Sequence, residues 1–155
     1  MPNLRNAGPA ARAAFVALLV LCATAPGALA QAPGGLKLSG QWFRFIMPSR
    51  PAAGYFTLAN PTATPEQLTG AGSSACGMLM LHKSLRKNGV ERMVMVPSVA
   101  VPAHGKLRFA PGGYHLMCMK PAAAMRPGKT VSVTLKFAGG KSLTAPFPVR
   151  NAVGK

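Results

Sequence analysis

The stretch Gly77-Met78-Leu79-Met80-Leu81-His82-Lys83-Ser84-Leu85 changes side-chain character at every step. A period of two belongs to a β-strand, whose successive side chains leave on opposite faces. Met78, Met80 and His82 then share one face. Tyr114 to Lys120 repeats the arrangement with His115, Met117 and Met119, and Arg92 to Val96 with Met93 and Met95. Two His-and-Met edges and one Met edge converge at one end of a sheet structure.

Working outward, short β-rich runs alternate with Gly and Pro punctuation, the pattern of a sandwich. Trp42 to Met47 reads as a strand with Trp42 in the core, and Pro48 to Ala53 turns the chain. Tyr55 to Asn60 and Gln67 to Ala71 follow. Pro97 to Gly105 reads as a loop, Lys106 to Phe109 as a strand, and Pro111-Gly112-Gly113 as a tight turn into Tyr114. Val131 to Phe137 and Ser142 to Val149 flank a Gly139-Gly140 hairpin, and residues 150–155 read as a frayed tail. About nine strands in this length predict an all-β Greek-key sandwich of immunoglobulin-like type.

The chain has 155 residues, enough for one core-bearing domain. Residues 1–30 read as a cleaved secretory signal: Arg5 and Arg12, an uncharged apolar run from Ala13 to Ala25, then Ala28-Leu29-Ala30 as the cleavage site. The run is too short for the ~20 residues of a membrane-spanning helix. Leu21, where a small residue would precede a lipidated Cys22, weighs against a lipoprotein signal. The mature domain is expected over residues 31–149, in the periplasm, with no transmembrane segment.

Losing Arg5 and Arg12 takes the formal charge from +16 to +14. Apart from Lys83, Arg86, Lys87 and Arg92, the cations are scattered singly, as on a solvated surface. An exported protein has no call to bind nucleic acid; an acidic partner or anionic membrane suits the charge better. The only acidic residues are Glu66 and Glu91. That excludes chemistry needing paired carboxylates, and calcium or magnesium sites built from several hard oxygens. No Asp is present to orient a Ser-His-Asp triad. No phosphate loop, CxxC or HExxH occurs either. Cys76 and Cys118 remain, an even pair suited to a disulfide in an oxidising compartment.

His and Met together point to a soft metal. Thioether sulfur suits Cu(I), imidazole suits copper and zinc alike, and zinc prefers thiolate, imidazole or carboxylate. Outside the cytoplasm two adjacent Cys would be tied into a disulfide, a fate Met escapes. Met at alternate strand positions can equally be core filler. The joint spacing separates the two readings. His82 is followed after ten residues by Met93, after twenty-one more by His115, and then by Met117.

This arrangement resembles the H-x10-M-x21-H-x-M signature of the periplasmic copper chaperones of the PCuAC family. Gly54-Tyr55-Phe56-Thr57-Leu58-Ala59-Asn60 looks like that family's first core strand, and Pro111 to His115 like its turn into the last ligand strand. The resemblance spans Gln41 to Val149. It implies a cupredoxin-like sandwich that is not an enzyme. It implies one Cu(I) held by His82, Met93, His115 and Met117, for delivery to a cytochrome oxidase copper centre through an oxidase subunit or assembly protein. A monomer is expected. His104 reads as a loop histidine, and Met80 and Met119 as neighbours of the ligands. A thiol–disulfide oxidoreductase using Cys76 and Cys118, and an immunoglobulin-like interaction module without metal, are the competing functions.

Overall fold

Phe43, Phe56 and Phe109 meet Phe147 where two sheets face each other. The Phe147 ring lies 5.6 Å from Phe43 and 6.1 Å from Phe56, and Phe56 stacks on Phe109 at 4.3 Å. All four are almost fully buried, and burying a side chain of this size stabilises by roughly 1.5–3 kcal/mol. The computed structural model describes residues 34–155, so the signal read over residues 1–30 lies outside the described residues.

Ten strands follow one another: β1 Lys37–Arg44, β2 Ala52–Asn60, β3 Glu66–Gly72, β4 Cys76–Lys87, β5 Val90–Met95, β6 Val99–Val101, β7 Gly105–Phe109, β8 Tyr114–Pro121, β9 Thr130–Phe137 and β10 Ser142–Arg150. Their hydrogen-bonded order is β5-β4-β8-β7-β2-β1-β10-β9-β3-β6, with β8 also paired to β2. The strands from β5 to β1 form one layer, and those from β10 to β6 the other. They are continuous only through a short parallel pairing, Phe43 with Val149 and Arg44 with Arg150. Apart from the hairpins and the short β7–β8 turn, which keeps both strands parallel in one layer beside β2, connections cross between layers, as Greek-key chains do. The all-β sandwich expected from the sequence is the fold observed.

Two elements differ from the sequence reading. Val99–Val101 forms β6 within the expected loop, pairing with Glu66 to Leu68 and burying both valines. Three residues between Pro97 and Pro102 are too few to show a period. β1 begins at Lys37, because an irregularity between Ser39 and Trp42 interrupts the alternation. Gly40, at φ 61°, sits in that break.

Trp42, expected in the core, is only half-buried. It stands on the outer face of its sheet against Tyr55, with ring centroids 5.1 Å apart, and beneath the Arg150 guanidinium at 5.2 Å. The last residues are not frayed: Asn151 Oδ1 accepts from the backbone N–H groups of Val153 and Lys155. Among the described residues, no helix is long and apolar enough to cross a membrane.

Cys76 and Cys118 are joined in a disulfide, their Cα atoms 5.3 Å apart. Cys118 faces the core and is 0% exposed, while Met117 and Met119 on either side face outward. The bridge therefore locks β4 to β8 from behind the His and Met face.

Candidate metal centre

The register of β4 and β8 builds the site. Met78 stands opposite Met119, Met80 opposite Met117, and His82 opposite His115. On the other side of β4, Met95 stands opposite His82 and Met93 opposite Ser84. Directly opposed residues share a face, so all of these side chains leave the outer surface of the first layer. Leu79, Leu81 and Leu116 alternate with them and fill the core behind.

Two turns fix this register. Asn88 and Gly89, both at positive φ, close the β4–β5 hairpin in two residues, the sequence and conformation that a tight hairpin prefers. At the head of β8, the Gly113 carbonyl accepts from the Ser84 N–H at 3.0 Å and from His115 Nδ1 at 3.2 Å. One carbonyl thus ties β8 to β4 and fixes the His115 tautomer. With the proton on Nδ1, the Nε2 lone pair is free, the usual arrangement behind a metal-binding imidazole.

The electrostatics agree. The rings of His82 and His115 lie 5.8 Å apart between centroids. Both nitrogens of His82, and Nε2 of His115, are shielded from solvent and have no hydrogen-bond partner. Shielded polar atoms left unpaired are costly and rare. Burial, and then the neighbouring His115, hold His82 below the ordinary imidazole pKa. Burial likewise lowers His115, opposed by the Gly113 hydrogen bond and assisted by the Arg44 charge. Both rings are therefore neutral at neutral pH, as coordination requires. Among the described residues no group of three His, Cys, Asp or Glu could hold a metal. An ion at this face would have to accept thioether sulfur, which selects a soft one.

All four residues singled out by spacing come to this face. His115, Met93 and Met117 line one cleft of about 430 Å3, together with Arg44, Arg50 and Tyr55. His82 lies beside it against His115. Met95, which the spacing to the histidines did not include, is 65% exposed and stands nearer to His82 in register than Met93 does. The Asn88-Gly89 turn was the signal that could have placed it. His104 lies at the opposite end of β7 from Phe109 and Tyr114, in a turn at φ 50°, as its loop reading implied.

The basic cluster divides. Arg86 shares the metal face, whereas Lys83, Lys87 and Arg92 leave the other side of the hairpin; Lys83 sits 5.1 Å above the Tyr114 ring. The cations bordering the cleft are Arg44 and Arg50, which the sequence did not single out.

In fold, the sandwich is of the class of the solved PCuAC domains. The fold matches the copper-bound PCuAC domain of PmoF2 with a TM-score of 0.64 at 20% identity, over 78% of this chain and 97% of that one. It matches the Cu(I) form of DR1885 from Deinococcus radiodurans with a TM-score of 0.60 at 31% identity, over 80% and 82%. The chain belongs to the family of LpqE-like lipoproteins, whose pattern it matches over residues 36–149. It is 35% identical to Lxx21020 of Leifsonia xyli subsp. xyli across 92% of this chain and 91% of that protein.

Proposed function

We propose that this protein is an exported Cu(I) carrier, with His82, Met93, His115 and Met117 as ligands and a copper-accepting oxidase subunit or assembly protein as receiver. The observation that carries the reading is the set of unpartnered imidazole nitrogens on His82 and His115, facing each other amid thioethers. The Cu(I) form of DR1885, 31% identical to this chain, supports the same ion. A shallow site of neutral ligands suits a carrier. It holds a monovalent soft ion until anionic acceptor thiolates, which are stronger soft donors, displace imidazole and thioether. Dithiol turnover is disfavoured, because the Cys118 sulfur is buried and the two Cys lie 42 positions apart.

The test is anaerobic Cu(I) titration against a chromophoric chelator, with ascorbate to spare the disulfide, followed by transfer to a reduced oxidase copper domain. One ion bound tightly, weakened by His82→Ala or His115→Ala and passed to the acceptor, is the expected result. Tight binding that survives both substitutions removes the ligand assignment, and retention of copper in the presence of acceptor removes the carrier role. The mass of the mature N-terminus decides between export as free Gln31 and acylation at Cys22, which the lipoprotein family makes pertinent.

A further inference from the structure

Four methionines of this face are left over once the four ligands are assigned: Met95 beside His82 on β5, and a group of three on β4 and β8. Met78 and Met119 form one directly opposed pair across β4 and β8, and Met80 lies on the next pair beside Met117. Same-face residues along a strand are spaced by roughly 7 Å, and opposed ones by about 5 Å. Thioether side chains reach across both intervals, so three sulfurs can meet over one point.

Packing does not account for them. The core lies on the opposite side of this sheet, with Leu79, Leu116 and Cys118. Met78 is 58% exposed, an apolar side chain in water on an open sheet face. In β4, the outward positions beyond Met78 and Met80 hold His82, Ser84 and Arg86. The disulfide behind Cys118 holds this end of the two strands in register, as a preorganised site requires.

We propose that Met78, Met80 and Met119 form a second, all-thioether subsite for a monovalent soft cation, next to the His-Met centre along the same face. The proposal rests on the copper-carrying reading. Three neutral sulfurs without imidazole bind more weakly and without pH dependence. The subsite thus acts as a loading port, capturing Cu(I) at the sheet's edge and passing it along Met80 and Met117 to the histidines. Exchange between adjacent sulfurs keeps the ion coordinated throughout, with no change in oxidation state and no proton released.

The test uses disulfide-bonded full-length mature protein with 13C-labelled methionine methyl groups, titrated with Ag(I), a soft ion that needs no reductant. The first equivalent is expected to shift Met93 and Met117 together with the imidazole signals. The second shifts Met78, Met80 and Met119. Met78→Leu with Met119→Leu, on an exposed face and folded by the criterion of an intact first step, should lose the second step, taking the stoichiometry from two to one. His82→Ala with His115→Ala should lose the first step and keep the second. If that variant still shows the first step, the assignment of His82 and His115 as ligands fails while the port stands or falls on its own signals. Methyl groups of Met78 and Met119 that stay fixed through several equivalents, or that move wholly with the first, overturn the subsite.

Discussion

His82 and His115 stand directly opposite each other on β4 and β8, and neither ring offers its free nitrogen to any protein group. Cross-strand neighbours normally satisfy each other or reach water. Here the first sheet turns two unsatisfied imidazoles toward one space and surrounds them with sulfur. The apo protein is thereby held short of its best electrostatic state.

The first prediction follows from that arrangement. Both histidines lie below the ordinary imidazole pKa, chiefly through burial. Protons therefore compete with the metal only below that range, and Cu(I) affinity should hold as pH falls through about 6.5 before declining. Each substitution to Ala should weaken binding and flatten the decline, whereas Met93→Leu should weaken binding and leave the profile's shape unchanged. The same shifts act on stability. The unfolded chain takes up protons first, so apo stability is full above about 6.5 and is lost as pH falls toward the folded values. Chelator competition and chemical unfolding, each at several pH values, check the two limbs.

The disulfide gives the second prediction. It closes 42 positions of chain, so its loss should cost about 4 kcal/mol in the chain-entropy model. Cys76→Ala with Cys118→Ala should lower the unfolding midpoint accordingly and loosen β4 against β8. Cu(I) affinity should fall less than stability, because neither sulfur faces the metal side. Thiol titration of oxidised, unfolded protein should find no free cysteine in the mature chain.

How far all this was legible in the sequence depends on the length of each pattern. Met78, Met80 and His82 sit in a twelve-residue strand, β4, long enough for parity to be unambiguous, and the spacing to His115 and Met117 did the rest. Val99 to Val101 offered too short a run between prolines, and β1 was hidden by the break at Gly40. Trp42 was misplaced because an aromatic in a strand reads as core, while its real neighbours, Tyr55 and Arg150, come from distant segments. The same reason hid Arg44 and Arg50: proximity to the cleft is set by sheet order, which no local pattern records.

A third prediction concerns Gly54 in β2. A Cβ there would lie 2.8 Å from Phe43 Cε1 and 3.1 Å from Leu116 Cβ. Both neighbours are fully buried, so neither ring nor strand can yield freely. Gly54→Ala should therefore destabilise by about 1–3 kcal/mol through overpacking. Gly70→Ala, where nothing lies within 4 Å, is the control and should change stability little. Denaturant unfolding with the disulfide intact compares the two.

The last prediction concerns docking. With +14 expected on the chain without Arg5 and Arg12, an acidic receiver is attracted from any side, and net charge alone gives no orientation. Direction must come from cations placed beside the metal. Arg50 is exposed and lines the cleft with His115 and Met117, whereas Lys87 and Arg92 leave the far side of the β4–β5 hairpin. Such charges act on encounter more than on the bound state. Arg50→Glu should accordingly slow transfer to an acidic dithiol acceptor by roughly tenfold at low ionic strength, reduce its salt sensitivity and leave Cu(I) affinity nearly unchanged. Arg50 is the better probe than Arg44, whose charge helps lower the His115 pKa and would disturb binding as well. Lys87→Glu with Arg92→Glu removes twice the charge from the wrong face and should slow transfer less. Stopped-flow transfer at low and high salt compares the pair. Equal slowing by both variants would mean that total charge governs encounter and that the cleft arginines have no special place in docking.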